Sequence, residues 1–521
     1  MEEKDTHSDG RRVAPWIVFM ATIAVIAIVA AFFIVRAKRG GTLPGSGAVQ
    51  SQQSYTVALT DQPTSLDIRT NDERGVEQAL VDNVYETLLT TGDDVSIAAN
   101  LVARWSETTD GLRYSFILRD GLRFADGSAL DASAVVTSLQ AIITDHYVGY
   151  EDLGDVAQIS NPSASQFTIT LHKPNPRLLY ALTGRAGIVY NIKGAHADGD
   201  GYATHTYGSG PFTVDRVDGR SITLSRNADY WGRQASAAHV TLAYYNSDDA
   251  LADALEHGDA DVALPRSAGA AARLAKNESL HVSDGLGMRQ TLLALNSAQE
   301  SPFSDVQVRQ STRYAIDAAE IAKTQPDAAA QLSGPIGRLQ PGYTDLNDLF
   351  PHDPEKAASM RTYFSYGYFR PFTVLTDEQH RALGEQITAT LTDVVSMPAT
   401  LEVVDTATLT KRVADGDYAC ALTTLEGADG YMRFVDGSTM FHYQNGEAQR
   451  AYNDALAKAN YNEYRETMRT FDTVVSQDAA SAWLYENKDF VATKASVGGI
   501  PAENSSWRLQ LAGLTNGVRG N

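Results

Sequence analysis

Residues 208–232 read GSGPFTVDRVDGRSITLSRNADYWG. Gly208, Gly210 and Pro211 predict a turn, because glycine reaches positive φ without steric cost and proline fixes its own. Residues 212–217 and 221–225 are β-prone runs on either side of Asp218-Gly219, the pattern of a hairpin. The second run ends in Arg226-Asn227-Ala228-Asp229-Tyr230-Trp231-Gly232.

Outward from this hairpin, the chain has 521 residues, more than one hydrophobic core supports, so two or three domains are expected. A composition of 43% hydrophobic and 21% charged residues excludes a disordered protein. The net charge is −21, from 64 acidic and 43 basic side chains, which argues against a nucleic-acid partner because no basic excess exists to neutralise phosphates. This acidity suits a soluble ectodomain and, through the summed field, favours cationic ligands; solubility alone is the plainer reading. The lone Cys420 excludes an intramolecular disulfide and a cysteine-based metal site. It lies in a β-like run, 418–425, where a buried small hydrophobe is expected.

Residues 14–35, APWIVFMATIAVIAIVAAFFIV, carry no charge. As a helix rising 1.5 Å per residue they would span roughly 33 Å, enough for a bilayer core. Arg11 and Arg12 precede the run, and Arg36, Lys38 and Arg39 follow it. A cleavable signal would be shorter, with a small-residue cleavage site close behind, so an uncleaved signal anchor is expected. The flanking charges balance and leave orientation open. Residues 36–54 read as a flexible linker after a short tail, 1–13.

Several further elements are predicted by periodicity. Residues 55–59, 112–118, 167–171, 239–245, 372–375 and 399–404 alternate as strands, whereas 76–89, 130–143, 302–321, 383–395 and 408–413 repeat as helices. Asp131 or Ser133 would cap the helix at 130–143. The alternation of strands and helices over 372–413 predicts an α/β lobe.

The opening stretch closely resembles the "GTGPY…RNPDYWG" signature of the extracellular solute-binding proteins of family 5, the peptide, nickel and opine receptors of ABC importers. Gln62-Pro63-Thr64-Ser65-Leu66-Asp67, Tyr85-Glu86-Thr87-Leu88-Leu89, residues 100–127 and residues 302–321 resemble further blocks of that family, in its order. The resemblance covers nearly all of 55–515. It implies an α/β fold of the two-lobed periplasmic-binding-protein-like kind (type II, cluster C) with an extra subdomain, preceded by one transmembrane helix. Lobe I is expected at 55–90, 205–284 and 482–515, its inserted subdomain at 91–204 and lobe II at 285–481. The main domain would then lie outside the cell membrane as the binding subunit of an importer. It would be a monomer that captures short peptides and delivers them to ABC permease subunits. A membrane-anchored sensor or assembly protein with the same fold, or a receptor for a non-peptide solute such as chelated nickel or an oligosaccharide, is the alternative.

In the peptide-binding members an acidic residue of the second lobe holds the ligand's α-ammonium. Residues 417–430 align with that segment, and Asp429 falls at the position of the ligand-holding aspartate. Thr424 or Leu425 stands where tryptophan is usual, and Gly430 replaces a proline; Asp429 before Gly430 fits a turn equally well. Tyr485 is a further ligand candidate, set against the commoner role of a core tyrosine. His196, Asp198, Asp200 and His205 match no metal-ligand spacing and read as a solvated loop. No HExxH, P-loop, GxSxG or Rossmann fingerprint is present, so neither catalysis nor a resident cofactor is expected.

Overall fold

A computed structural model of the chain describes residues 53–517, except 93–94, 198–200, 203–206, 365–369, 427–429, 436 and 503–505. The expected anchor at 14–35, its linker up to residue 52 and Asp429 lie outside the described residues. Among the described residues, no helix is long and apolar enough to cross a membrane.

Eleven of the described strands form one mixed sheet. In chain order they are β1 Ser54–Leu59, β2 Phe212–Asp218, β3 Ser221–Arg226, β4 His239–Tyr244, β5 Val262–Ala263, β6 Leu280–Leu295, β7 Ala328–Gln331, β8 Phe372–Asp377, β9 Ala399–Val404, β10 Cys420–Leu425 and β11 Ser481–Lys494. Their spatial order is β9-β8-β10-β6-β11-β5-β1-β4-β3-β2, with β7 also paired to β11. Two long antiparallel strands, β6 and β11, therefore stand at the centre and belong to both halves. Leu280–Leu286 of β6 pairs with residues 488–494 of β11, next to β5 and β1. Beyond a register shift between Leu286 and Gln290, β6 pairs with residues 481–486 and with β10. Such an irregularity kinks and twists a strand pair locally, so the sheet is two half-sheets joined at a bulged crossover.

Both faces of each half are apolar, as the alternation of side chains requires of a sheet covered on both sides. In one half, Leu292, Ala294, Ala421 and Trp483 pack into one cluster, while Leu293, Leu295, Cys420, Leu422 and Leu484 pack into the opposite one. In the other half, Val57, Leu59, Val262 and Val491 face one cluster and Ala58, Ala263 and Ala492 another. The cluster containing Val57 continues through Tyr114, Phe116 and Phe167 of a separate four-stranded sheet. That sheet is built from Val102–Glu107, Arg113–Leu118, Val156–Ser163 and Gln166–Leu171.

Most predicted elements form within a few residues of expectation, including the hairpin β2–β3, whose Gly219 has φ +54°. Asp131, not Ser133, caps the helix Ala132–Thr144, accepting from the Ala134 N–H at 3.0 Å. The helix expected over 76–89 instead runs Arg74–Leu80 and stops. The reason is the loop of the opening stretch: Gly210 N donates to Val84 O (2.9 Å) and Phe212 N to Asn83 O (2.9 Å). A continuing helix would engage those carbonyls internally. A Cβ on Gly208 would lie 2.0 Å from Val84 O, and one on Gly210 would lie 2.5 Å from Asn83 O, so glycine is obligatory at both. The helix expected over 302–321 is likewise interrupted. Val306–Ala315 and Ala318–Thr324 are separate, and Asp317 caps the second by accepting from the Glu320 N–H.

Two of the sequence blocks, 85–89 and 208–232, converge on one buried carboxyl. Ser209 Oγ (2.7 Å) and Trp231 Nε1 (2.9 Å) donate to Glu86 Oε2, and Tyr230 OH donates to Oε1 at 2.8 Å. Burial outweighs these donors and pushes the Glu86 pKa from 4.5 up to about 7. The unfolded chain releases that proton near the ordinary value, whereas the fold keeps it to about pH 7. The proton-linked stabilisation is therefore complete below pH 4.5 and lost as pH rises through 7. Relative to Glu86→Gln, which cannot titrate, the wild-type protein is expected to lose roughly 3 kcal/mol of unfolding free energy across that window. Denaturant melts of both proteins at several pH values measure this, and parallel pH profiles would show a normally ionising carboxyl.

Candidate functional site

The strand directions decide where a ligand can sit. β1, β4 and β5 are parallel to one another, and β5 is antiparallel to β11. β8, β9 and β10 are parallel to one another, and β10 is antiparallel to β6. With β6 and β11 antiparallel, the carboxyl ends of the two strand sets point toward each other across the bulged middle of the crossover. The crevice outside strand carboxyl ends is where open α/β sheets bind ligands.

Charged side chains gather there from both halves. Asp61 follows β1, Arg266 follows β5, and Arg74 opens the helix Arg74–Leu80. Arg289 and Asp489 lie on the crossover strands, and Glu426 follows β10 from the opposite half. Arg266 pairs directly with Glu426 and lies 3.8 Å from Asp61. Arg74 Nη1 is 3.5 Å from Glu426 Oε2, its Nε is 3.3 Å from Asp61 Oδ2, and its guanidinium sits 4.1 Å over the Trp507 ring. Arg289 is almost fully buried: its Nη2 donates to Lys488 O at 2.7 Å and lies 3.7 Å from Asp489, while its Nε has no hydrogen-bond partner.

Local structure fixes these groups. The Asp248 carboxylate accepts from the backbone N–H groups of Arg266 (3.0 Å) and Ser267 (2.6 Å) and so orients the turn after β5. Glu73 accepts from Thr64 N at 2.7 Å and Thr64 Oγ1 at 2.8 Å, tying the loop before Arg74 to the loop after β1. Burial raises the Glu426 carboxyl, but Arg266 and Arg74 more than offset it and hold it below its ordinary value. Asp489 moves the other way because burial exceeds the pull of Arg289, Arg74 and Arg266. Burial, aided by the like charge of Arg266, also weakens the hold of Arg74 on its proton. Beside the cluster is a cavity of about 50 Å³, lined by Thr60, Asp61, Arg74, Arg266 and Trp507 among others. That is room for water but not for a peptide, so here the side chains themselves fill the gap.

A second contact joins the halves. Tyr180 stacks on Tyr461 with ring centroids 5.8 Å apart and planes 8° from parallel, and Tyr461 OH donates to Val95 O at 3.0 Å.

Of the ligand candidates read from the sequence, Thr424 and Leu425 end β10 at the rim of this crevice. Thr424 Oγ1 is 3.0 Å from Thr291 Oγ1, which donates to Asn487 Oδ1 at 3.0 Å; Asn487 Nδ2 in turn donates to Asp327 Oδ2 at 3.0 Å. Tyr485 OH reaches the same Asp327 oxygen at 3.4 Å, and its ring is wholly buried in the apolar cluster of Leu293 and Leu484. Leu425 packs with Tyr431 and Phe434. The structure thus brings Thr424 and Tyr485 into one polar chain beneath the crevice and turns Leu425 toward the core. Sequence reasoning missed Asp61, Arg74, Arg266, Arg289, Glu426 and Asp489. Four of these sit one to three residues beyond a strand end or open a helix, a position that periodicity does not score. No cluster of three or more His, Cys, Asp or Glu side chains suited to a metal occurs among the described residues.

Comparison with known proteins agrees with this geometry. The chain is 24% identical over 445 residues to the probable D,D-dipeptide-binding periplasmic protein DdpA of Escherichia coli K12, covering 79% of this chain and 84% of that one. It is 25% identical over 316 residues to the glutathione-binding protein GsiB of Salmonella typhi, covering 59% of this chain and 60% of that protein. The fold matches the substrate-binding protein CtaP of Listeria monocytogenes with a TM-score of 0.80 at 17% identity, over 89% of this chain and all of that one. It also matches DppA of Helicobacter pylori in complex with the peptide STSA, with a TM-score of 0.69 at 19% identity, over 89% and 98%. The two-lobed periplasmic-binding-protein fold follows from these likenesses. The family model described as bacterial extracellular solute-binding proteins, family 5 (middle region), matches residues 96–448, and the chain belongs to that family.

Proposed function

We propose that this chain is the extracellular substrate-binding subunit of an ABC importer, and that it captures short peptides between two hinged lobes. The observation that carries the reading is the facing of two sets of strand carboxyl ends across one bulged strand pair. That arrangement lets a solute touch both halves at once while only the crossover flexes. The names of the relatives supply the ligand class: a D,D-dipeptide for DdpA, glutathione for GsiB and the peptide STSA for DppA. Lobe I comprises 55–90, 205–284 and 482–515 with its insertion at 91–204, and lobe II comprises 285–481. An extended peptide lies between them and bonds through its backbone, as in strand addition, which gives affinity with little dependence on side chains. Micromolar capture corresponds to about −8 kcal/mol, enough to shift an open–closed equilibrium.

Asp429 takes the peptide's α-ammonium in a charge-assisted hydrogen bond worth roughly 1.5–3 kcal/mol. Asp429→Ala is accordingly expected to weaken peptide binding at least tenfold in calorimetric titrations. Equal affinity in the two proteins removes that role. Peptide uptake by the source bacterium should fall when the chromosomal copy is deleted, and unchanged uptake would sink the importer reading.

Residues 14–35 tether the lobes to the extracellular face of the cell membrane. The full chain should therefore stay with membranes through an alkaline carbonate wash, and removal of residues 1–39 should release it. A full chain that washes off would exclude a spanning anchor.

A further inference from the structure

We propose that Arg74 and Arg266 form a receptor for a ligand carboxylate on lobe I, and that Glu426 of lobe II occupies it when no ligand is bound. The inference rests on the peptide-capture reading above and names the chemistry at one end of the captured molecule. The lobe I side of the crevice, with the crossover strands, supplies three guanidiniums (Arg74, Arg266 and Arg289) and two carboxylates (Asp61 and Asp489). Glu426 is the sole carboxylate within salt-bridge distance of Arg74 or Arg266 that comes from the far side, among the described residues. When the lobes part, Glu426 leaves with β10, and one positive charge stays uncompensated in a partly buried place. Partly desolvated guanidiniums without a counter-charge are costly, so the opened site favours one replacement anion.

The geometry selects a carboxylate. The Arg74 guanidinium sits 4.1 Å over the Trp507 ring, and the backbone of Arg266 is fixed by the Asp248 contacts to its own and the next N–H. Two guanidiniums that each meet a different oxygen of one glutamate are already arranged around a planar, two-oxygen acceptor. Arg289, more than nine-tenths buried behind them with its Nε unpartnered, adds positive potential at the same spot. A peptide brings such a group either as its terminal α-carboxylate or as an acidic side chain. Glu426 is then an internal competitor, and it closes the empty cleft by the contact that a ligand would make.

The purified full chain in detergent provides the test, read by calorimetry. The probes are trialanine, its C-terminal amide and Ala-Glu-Ala amide. Wild type is expected to bind trialanine at least tenfold more tightly than the amide. Restored affinity for Ala-Glu-Ala amide would assign the receptor to acidic side chains as well as to the terminus. Glu426→Gln should raise the affinity for trialanine several-fold more than that for its amide. Arg266→Gln should bring the acid-to-amide ratio close to one. Equal binding of acid and amide, unmoved by either substitution, overturns the receptor while leaving peptide capture in place. If no peptide binds at all, the peptide reading fails and the receptor is judged with succinate. Succinate binding abolished by Arg266→Gln supports it, and absence of succinate binding overturns it. Circular dichroism and a melt on each variant establish that it is folded, and Glu426→Gln, at a part-exposed side chain, tests the idea without altering the arginines.

Discussion

The antiparallel pairing of β6 with β11 is the constraint from which the rest of the molecule takes its shape. Both strands are long enough to serve two half-sheets, and the shift in their register between Leu286 and Gln290 separates the halves. Because β1, β4 and β5 lie on one side and β8, β9 and β10 on the other, with opposite directions, the strand ends converge. The crevice is thus a product of topology before any side chain is considered. Close approach at the bulge is built in, since a Cβ on Gly287 would lie 2.7 Å from the Asp489 carboxylate.

Around that constraint, polar groups are buried at the points where the chain must be held in an exact relation to a distant segment. Glu86 gathers Ser209, Tyr230 and Trp231, and so fixes the hairpin β2–β3 to the end of the helix Arg74–Leu80. In the other half, Arg313 is buried and donates to the Ser476 and Ser333 carbonyls, with its guanidinium over the Phe350 and Trp483 rings. Arg309 donates to Asp478 and to the Phe303 carbonyl. Each such side chain is costly to bury alone and stabilising when its partners are all in place, which confines it to one geometry.

A strand with clean alternation, such as β4, was readable because it buries one side chain in two, Val240, Leu242 and Tyr244, against a defined face. The motifs around Glu86 were readable as a resemblance, but their physical meaning lay in contacts across more than a hundred residues. β11 was not readable as one strand. Glu486, Asn487, Lys488 and Asp489 interrupt its apolar pattern, and they are accommodated by partners from elsewhere in the chain, Arg338, Asp327, Asp284 and Arg289 among them. The same holds for the crevice. Arg74, Arg266 and Glu426 carry no local signature, and only the convergence of strand ends brings them together. The early end of the helix at Leu80 shows the reverse effect, in which a tertiary partner, the Gly208–Gly210 loop, overrides a good helical repeat.

Cys420 bears on how motion in this molecule can be followed. Its thiol is wholly enclosed beneath β8, 3.8 Å from the Thr373 carbonyl, and burial pushes its pKa well up. Thiolate chemistry is suppressed in such surroundings. With no other cysteine in the chain, a thiol introduced on either side of the crevice would be the sole accessible thiol for a maleimide dye. The native protein is in that sense a blank background for fluorescent labelling, and a pair of dyes could report the gap between lobes without first removing any natural residue.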